Sequence, residues 1–187
     1  PLGATEPHNL HLPYGTDTIE ANVLADRACV TAFERGARVL RLPTIPYGTE
    51  TNQMRFPFAM NLNPTTLAAI VTDLVASLAA HGIKKCLLLN SHGGNDFKWM
   101  LRQLYGTTSV HLFLCNWYRM AADQYPALFA DAGDHAGEME TSLILAHAPE
   151  LVRMDQADPG SMARTRFDAV NRGWIEMTRP WHLLTTS

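Results

Sequence analysis

Residues 2–17, LGATEPHNLHLPYGTD, set one Glu, two His and one Asp among Gly and Pro. Glu6 and His8 are two apart, so in extended backbone their side chains share a face. Asp17 follows at the expected N-cap of a helix. A second polar turn, SHGGN (91–95), carries His92, and a third stretch, GDHAGEMETS (133–142), carries His135, Glu138 and Glu140. Carboxylates mixed with imidazoles suit Zn, Mn or Fe, whereas an all-oxygen set would suit Mg or Ca. Bland readings compete with this one. An Asp before a helix is commonly a cap, and a lone His is commonly a hydrogen-bonded structural group. Glu138 and Glu140 point to nearly opposite sides of a helix, so at most one can face a common site. Ser91 beside His92 is no nucleophile–base pair, because neighbours diverge, and no G-x-S-x-G elbow occurs.

These stretches need elements to position them. Residues 18–35 read as a helix stopped by Gly36, and ARVLRLP (37–43) as a short strand. Residues 44–62 form a long loop, a length that is often functional. Asn63 as N-cap and Pro64 at the first helical position start a helix that runs to Gly82. KKCLLLN (84–90) and SVHLFLC (109–115) are apolar runs that predict strands buried on both faces. Between them 96–105 is helical. Residues 116–129 read as helix then loop, and 137–149 as a helix ending before Pro149. Alternating strands and helices make an α/β fold with a mainly parallel sheet. Ligands in such sheets bind beyond the carboxyl ends of the strands. His92 follows one strand there, and the opening stretch follows Pro1–Gly3, which reads as the end of another.

The 187 residues are 47% hydrophobic with a net charge of −3. This suits one globular domain over 1–187 and gives no basic footprint for nucleic acid. No apolar run reaches the ~20 residues that cross a bilayer, and no basic-then-apolar leader marks secretion. Cys29, Cys86 and Cys115 are odd in number and far apart, which predicts buried free thiols in a reducing, cytoplasmic setting. The abrupt ends predict a domain lacking its first strand and a C-terminal part.

Together, GATEPHNLHLPYGTD, NSHGGN and DHAGEMETS resemble, in order, the three motif blocks of the creatininase (creatinine amidohydrolase) family, over about residues 1–152. The resemblance implies a three-layer α/β/α sandwich and a hydrolase with two divalent metal ions, Zn, Mn or Fe. It implies Glu6, His8, Asp17, His92 and Glu140 as metal ligands, with Asp17 bridging, and His135 as catalytic acid/base. It selects Glu140 over Glu138. His11 also matches the pattern, as a support behind the site or a substrate contact, and Trp117 matches one of two substrate-bracketing tryptophans. The implied reaction is hydrolysis of an amide or cyclic amide C–N bond in a small molecule. The alternatives are C–C cleavage of a carbohydrate-derived ketone, or a non-catalytic metal-binding module. The family also implies a ring-like homo-oligomer, commonly a hexamer. Departures touch the substrate pocket: Pro7 replaces the family's Gln and Asn9 its Gly, and Gly94 stands where creatininase itself has Glu. The second bracketing tryptophan falls near Asp131, and the family's F-P-G-T is FPFA at 56–59. Creatinine is therefore expected to be a poor substrate.

Overall fold

The computed structural model describes residues 1–185 apart from 132, 134, 161 and 179, so Asp134 of the third motif lies outside the described residues. Five helices are relevant to the site: α1 (Thr16–Glu34), α2 (Pro64–Ala80), α3 (Lys98–Leu104), α4 (Tyr125–Leu128) and α5 (Glu138–His147). Two strands, β1 (Lys85–Asn90) and β2 (His111–Asn116), pair in parallel, with Lys85 opposite His111 and Asn90 opposite Asn116. Leu2 extends this sheet. It forms parallel bridges to Asn90 on one side and Ile45 on the other, and its N–H donates to Leu89 O. The order across the sheet is thus Ile45, Leu2, β1, β2. All three polar motif stretches start from its carboxyl edge or face it from α5.

One face of the sheet carries the larger core. Leu88 packs with Leu67, Val71 and Val75 of α2 and with Met100 and Leu104 of α3. Alternation puts Leu88 on the covered face of β1. On the other side α1 and α5 pack together, over a smaller cluster of Leu12, Ile144 and Ala148. Helices on both sides of a parallel sheet give the three-layer α/β/α arrangement.

Several sequence expectations need correction. Residues 37–43 form no regular element, and the bridge falls at Ile45 instead; Pro43 and Pro46 leave too few donors nearby for a ladder. The strands are not buried on both faces: Leu87 is 57% and Phe113 52% exposed. They sit opposite one another in the parallel pair, on the same face of the sheet. A continuous apolar run could not reveal this one-sided cover. Residues 116–129 form two 3₁₀ turns, Trp117–Arg119 and Ala122–Gln124, before the single turn of α4. The three cysteines are free and half-buried. Asp17 is not the N-cap of α1: Gly15 holds that position and Asp17 lies within the first turn.

Candidate metal centre

That two-residue shift matters, because it places the Asp17 carboxylate inside the first turn, where it is buried. Gly3 makes it fit. A Cβ on Gly3 would sit 2.6 Å from Thr18 Oγ1 and 2.7 Å from the Thr18 backbone, so α1 starts hard against the first strand. Glu6, His8, Asp17 and His92 are all buried. His92 Nδ1 lies 2.7 Å from Glu6 Oε1 and 3.1 Å from Asp17 Oδ2, and His8 Nε2 lies 3.2 Å from Asp17 Oδ1. Donor atoms of Glu6, Asp17 and His92 fall within 4.8 Å of one another, as do those of His8, Asp17 and Glu140. Asp17 belongs to both sets. A third set joins Glu6, His8 and His135. From α5, Glu140 is held by the Ala136 N–H, while Glu138 turns away and accepts from Ala130 N.

The residues fit a divalent cation. Two donors each ~2.1 Å from one ion are separated by about 3.0–3.4 Å, close to the spacings here. The far nitrogen of each imidazole is also tied: His8 Nδ1–H donates to Glu6 O at 3.2 Å and His92 Nε2–H to Thr49 O at 3.2 Å. That leaves His8 Nε2 and His92 Nδ1 facing the carboxylates, the arrangement metal-binding histidines adopt. Asp17 Oδ2 has no aligned hydrogen-bond donor despite its burial and its nearness to His92, a costly state unless a cation serves it.

Without a cation, protons answer the same excess of negative charge. Burial alone would depress the His8 imidazole, but Asp17, Glu140 and Glu6 outweigh it and push it up to about 10. His92 is likewise raised against burial by Glu6, Asp17 and Glu50. Burial raises Glu140 to about 7, against the pull of His8. Asp17 is held well below the usual carboxylate range by His8 and His92, although burial opposes this.

Two buried carboxylates carry no motif and escaped the sequence reading. Glu50, from the 44–62 loop, is fully buried, and its carboxyl is pushed up to about 8, chiefly by burial. Glu20 lies one turn along α1 from Asp17 and accepts from Ser91 Oγ at 3.2 Å. The i, i+3 spacing from Asp17 was the available signal for Glu20; Glu50 had only the length of its loop. Gln53, from the same loop, donates to Glu6 Oε2.

A cavity of about 460 Å³ opens onto this cluster. His135 lines it, with Nε2–H donating to Pro7 O at 2.7 Å and Nδ1 3.9 Å from Glu6 Oε1. Its ring lies 4.3 Å from that of His8 and meets Trp181 edge-on at 4.7 Å. Burial and His8 lower its pKa, so it is neutral near pH 7. Trp181, Tyr118, Tyr125 and Arg119 form the remaining wall. Trp117, expected as a substrate contact, and His11, expected as a support behind the site or a substrate contact, are not among the residues that line the cavity. Trp117 is buried and donates to Ser91 Oγ at 2.7 Å, and His11 pairs with Thr141 Oγ1 at 2.8 Å. Trp181 is the tryptophan that faces the cavity, and no motif marked it.

A buried cluster of carboxylates and imidazoles at the carboxyl edge of a parallel sheet, open to one cavity, defines an α/β protein built to hold metal. The chain belongs to the creatininase family: the family model described as creatinine amidohydrolase matches residues 1–187. It is 30% identical over 177 residues to the creatinine amidohydrolase of Pseudomonas putida, covering 83% of this chain and 66% of that protein. It is 29% identical over 167 residues to the mycofactocin precursor peptide peptidase of Mycolicibacterium smegmatis, covering 87% and 62%. A 3-dehydro-scyllo-inosose hydrolase of Thermotoga maritima is 25% identical over 168 residues, covering 84% and 52%. Among solved structures, a Bacteroides fragilis protein described as a creatinine amidohydrolase superposes with a TM-score of 0.92 at 36% identity, over 100% of this chain and 74% of that one. A creatininase described with Mn gives 0.72 at 27% identity, over 89% and 71%. The chain thus spans about two thirds or less of the length of the curated relatives it matches. No helix among the described residues is long and apolar enough to cross a membrane.

Proposed function

We propose that this protein is a metal-dependent hydrolase that cleaves an amide or cyclic amide C–N bond in a small molecule. The observation that carries this reading is the sharing of Asp17 between the Glu6–Asp17–His92 and His8–Asp17–Glu140 sets. A carboxylate can serve two cations, one on each oxygen, whereas a neutral imidazole offers one lone pair. Two divalent ions held there, Mn or Zn being suited to such donors, supply a Lewis acid for the carbonyl and a hydroxide near neutral pH.

The chain's own groups do the rest. Gln53 and the Ala136 N–H hold Glu6 and Glu140 in place. His135, neutral and on the cavity wall, takes a proton at Nδ1 from the attacking water and returns it to the leaving nitrogen. Trp181, Tyr118 and Tyr125 give the substrate a flat aromatic enclosure. The peptidase and amidohydrolase names of the relatives agree with C–N cleavage. The Thermotoga relative supports the second reading, cleavage of a C–C bond in a carbohydrate-derived ketone, for which the same ligands would serve. We also propose a homo-oligomer, of the ring-like kind the family resemblance implies. It would cover apolar side chains such as Leu87, Phe113 and Phe33, which are 57%, 52% and 70% exposed in the single chain.

The test is turnover of a panel of N-acyl amino acids, short peptides and cyclic amides beside a panel of keto-sugars, each with and without a chelator. Chelator-sensitive hydrolysis within the amide panel is expected. Creatinine should be a weak member of it, because Gly94 offers no side chain and Trp117 is spent on Ser91. Turnover confined to the keto-sugars would favour the second reading, and none in either panel would remove the hydrolase assignment.

A further inference from the structure

Glu50 lies outside all three motif stretches, yet it is fully buried against the metal centre. Neither of its carboxylate oxygens has an aligned hydrogen-bond donor. Such a group costs stability, so its retention calls for a role that packing does not supply. Its Oε1 lies 2.7 Å from His92 Nε2. The Nε2–H itself is aligned on Thr49 O, the neighbouring carbonyl, at 3.2 Å. Glu50 therefore sets a carboxyl oxygen beside the N–H and off its axis.

The ring is gripped from other sides as well. A Cβ on Gly94 would come within 2.3 Å of His92 Nε2 and 2.5 Å of Thr49 O, and one on Gly48 within 2.9 Å of His92 Cδ2. Two glycines let the 44–62 loop and the SHGGN turn close on the imidazole from both sides. With acceptors at Nε2, the proton belongs there. With a cation bound, Nδ1 would offer its lone pair on the side where Glu6 Oε1 and Asp17 Oδ2 stand at 2.7 and 3.1 Å. A carboxylate beside the distal N–H of a histidine fixes its tautomer and strengthens it as a donor.

We propose that Glu50 is the positioning residue for His92, its buried carboxylate holding the imidazole so that Nδ1 faces the ion shared with Glu6 and Asp17. This rests on the two-ion reading of the site and extends it to a residue on a separate loop. Glu50 acts on one ion only, because His8 and Glu140 lie in the other set.

The experiment strips the protein of metal and titrates Mn²⁺ in competition with a chromophoric chelator, for wild type, Glu50→Gln, Glu50→Ala and Glu50→Asp. Thermal melts of the metal-free forms accompany the titrations. Wild type should take two ions. Glu50→Gln and Glu50→Ala should weaken one of them by about 10- to 100-fold and leave the other alone, and Glu50→Asp should recover part of the loss. The metal-free Gln variant should melt no lower than wild type, since it keeps the shape and breaks no hydrogen bond that the carboxyl oxygens make. That last result separates positioning from a simple loss of structure, and the Gln variant carries the test should the Ala variant fail to fold. Unchanged binding of both ions in the Gln and Ala variants would overturn the assignment, as would equal weakening of both ions or a lower metal-free melt in step with the lost affinity. A wild type that takes one ion, weakened by Glu50→Gln, would keep Glu50 in its role and sink the two-ion reading. One ion that ignores Glu50 would sink both.

Discussion

Asp17 separates a bridging carboxylate from a helix-starting one. Gly15 caps α1, and Asp17 makes no capping bond, so its value to the helix is a first-turn charge worth only ~0.3–1 kcal/mol. Asp17→Asn keeps the shape but leaves one oxygen and no charge. It should fold, melt within a few degrees of wild type when metal-free, and bind at most one ion tightly, with activity close to nil. Metal content and melting on one preparation check this, and retention of two ions with normal turnover would demote Asp17 to a structural residue. His135 is a different case. Its Nε2 is committed to Pro7 O and its Nδ1 stands 3.9 Å from Glu6. His135→Ala should keep both ions and lose about 10²–10⁴-fold in turnover. Loss of an ion instead would make it a ligand, in line with the Glu6–His8–His135 set.

The start of α1 holds Asp17 and Glu20 in place, and Gly3 is the contact that lets it approach. A methyl group there would meet the Thr18 backbone at 2.7 Å, which a rigid helix cannot yield without moving its first turn. Gly3→Ala should cost about 1–3 kcal/mol, as overpacking does, and weaken metal binding in the same preparation. A melt and affinity equal to wild type would show that α1 can slide without disturbing Asp17. The elements themselves were unevenly legible. Helices α1, α2 and α5 followed from period, caps and stops, and β1 and β2 from their apolar runs. Residues 37–43 failed because a strand is made by its partner: Val39 and Leu40 have β-forming side chains but stay exposed, and pairing falls at Ile45. Trp117–Arg119 failed for a related reason. Trp117 is anchored to Ser91, and that tertiary bond fixes a short turn where local pattern suggests helix.

In the molecule as a whole, the legible part of the site is the part each motif carries within a few residues. Glu6, His8, Asp17, His92, His135 and Glu140 fall in three short stretches, and the sheet gathers them. Glu50, Gln53 and Trp181 arrive from a loop and a late segment whose path only the fold determines. Their convergence makes the whole protein's stability depend on pH. His8 rises from 6.5 to about 10 on folding, so its contribution is complete below ~6.5 and lost as pH climbs through 10. Glu50 and Glu140 rise from 4.5 to about 8 and about 7. These buried acids resist ionisation, so stability falls further between pH 4.5 and 8. Asp17 and Glu6 are depressed and oppose the trend only at acid pH, where their contribution is lost as pH falls. The metal-free protein should therefore melt lower at pH 9 than at pH 6. Because ligands bind metal deprotonated, the melting gap between loaded and stripped protein should widen over the same range. A stripped protein that is more stable at pH 9 would contradict this balance of charges. The most direct measurement of the central claim is elemental analysis with electron paramagnetic resonance on Mn-loaded wild-type protein. Two ions joined by Asp17 predict two Mn per chain and an exchange-coupled spectrum; a single Mn per chain, or two giving only the six-line signal of isolated ions, would contradict the shared carboxylate.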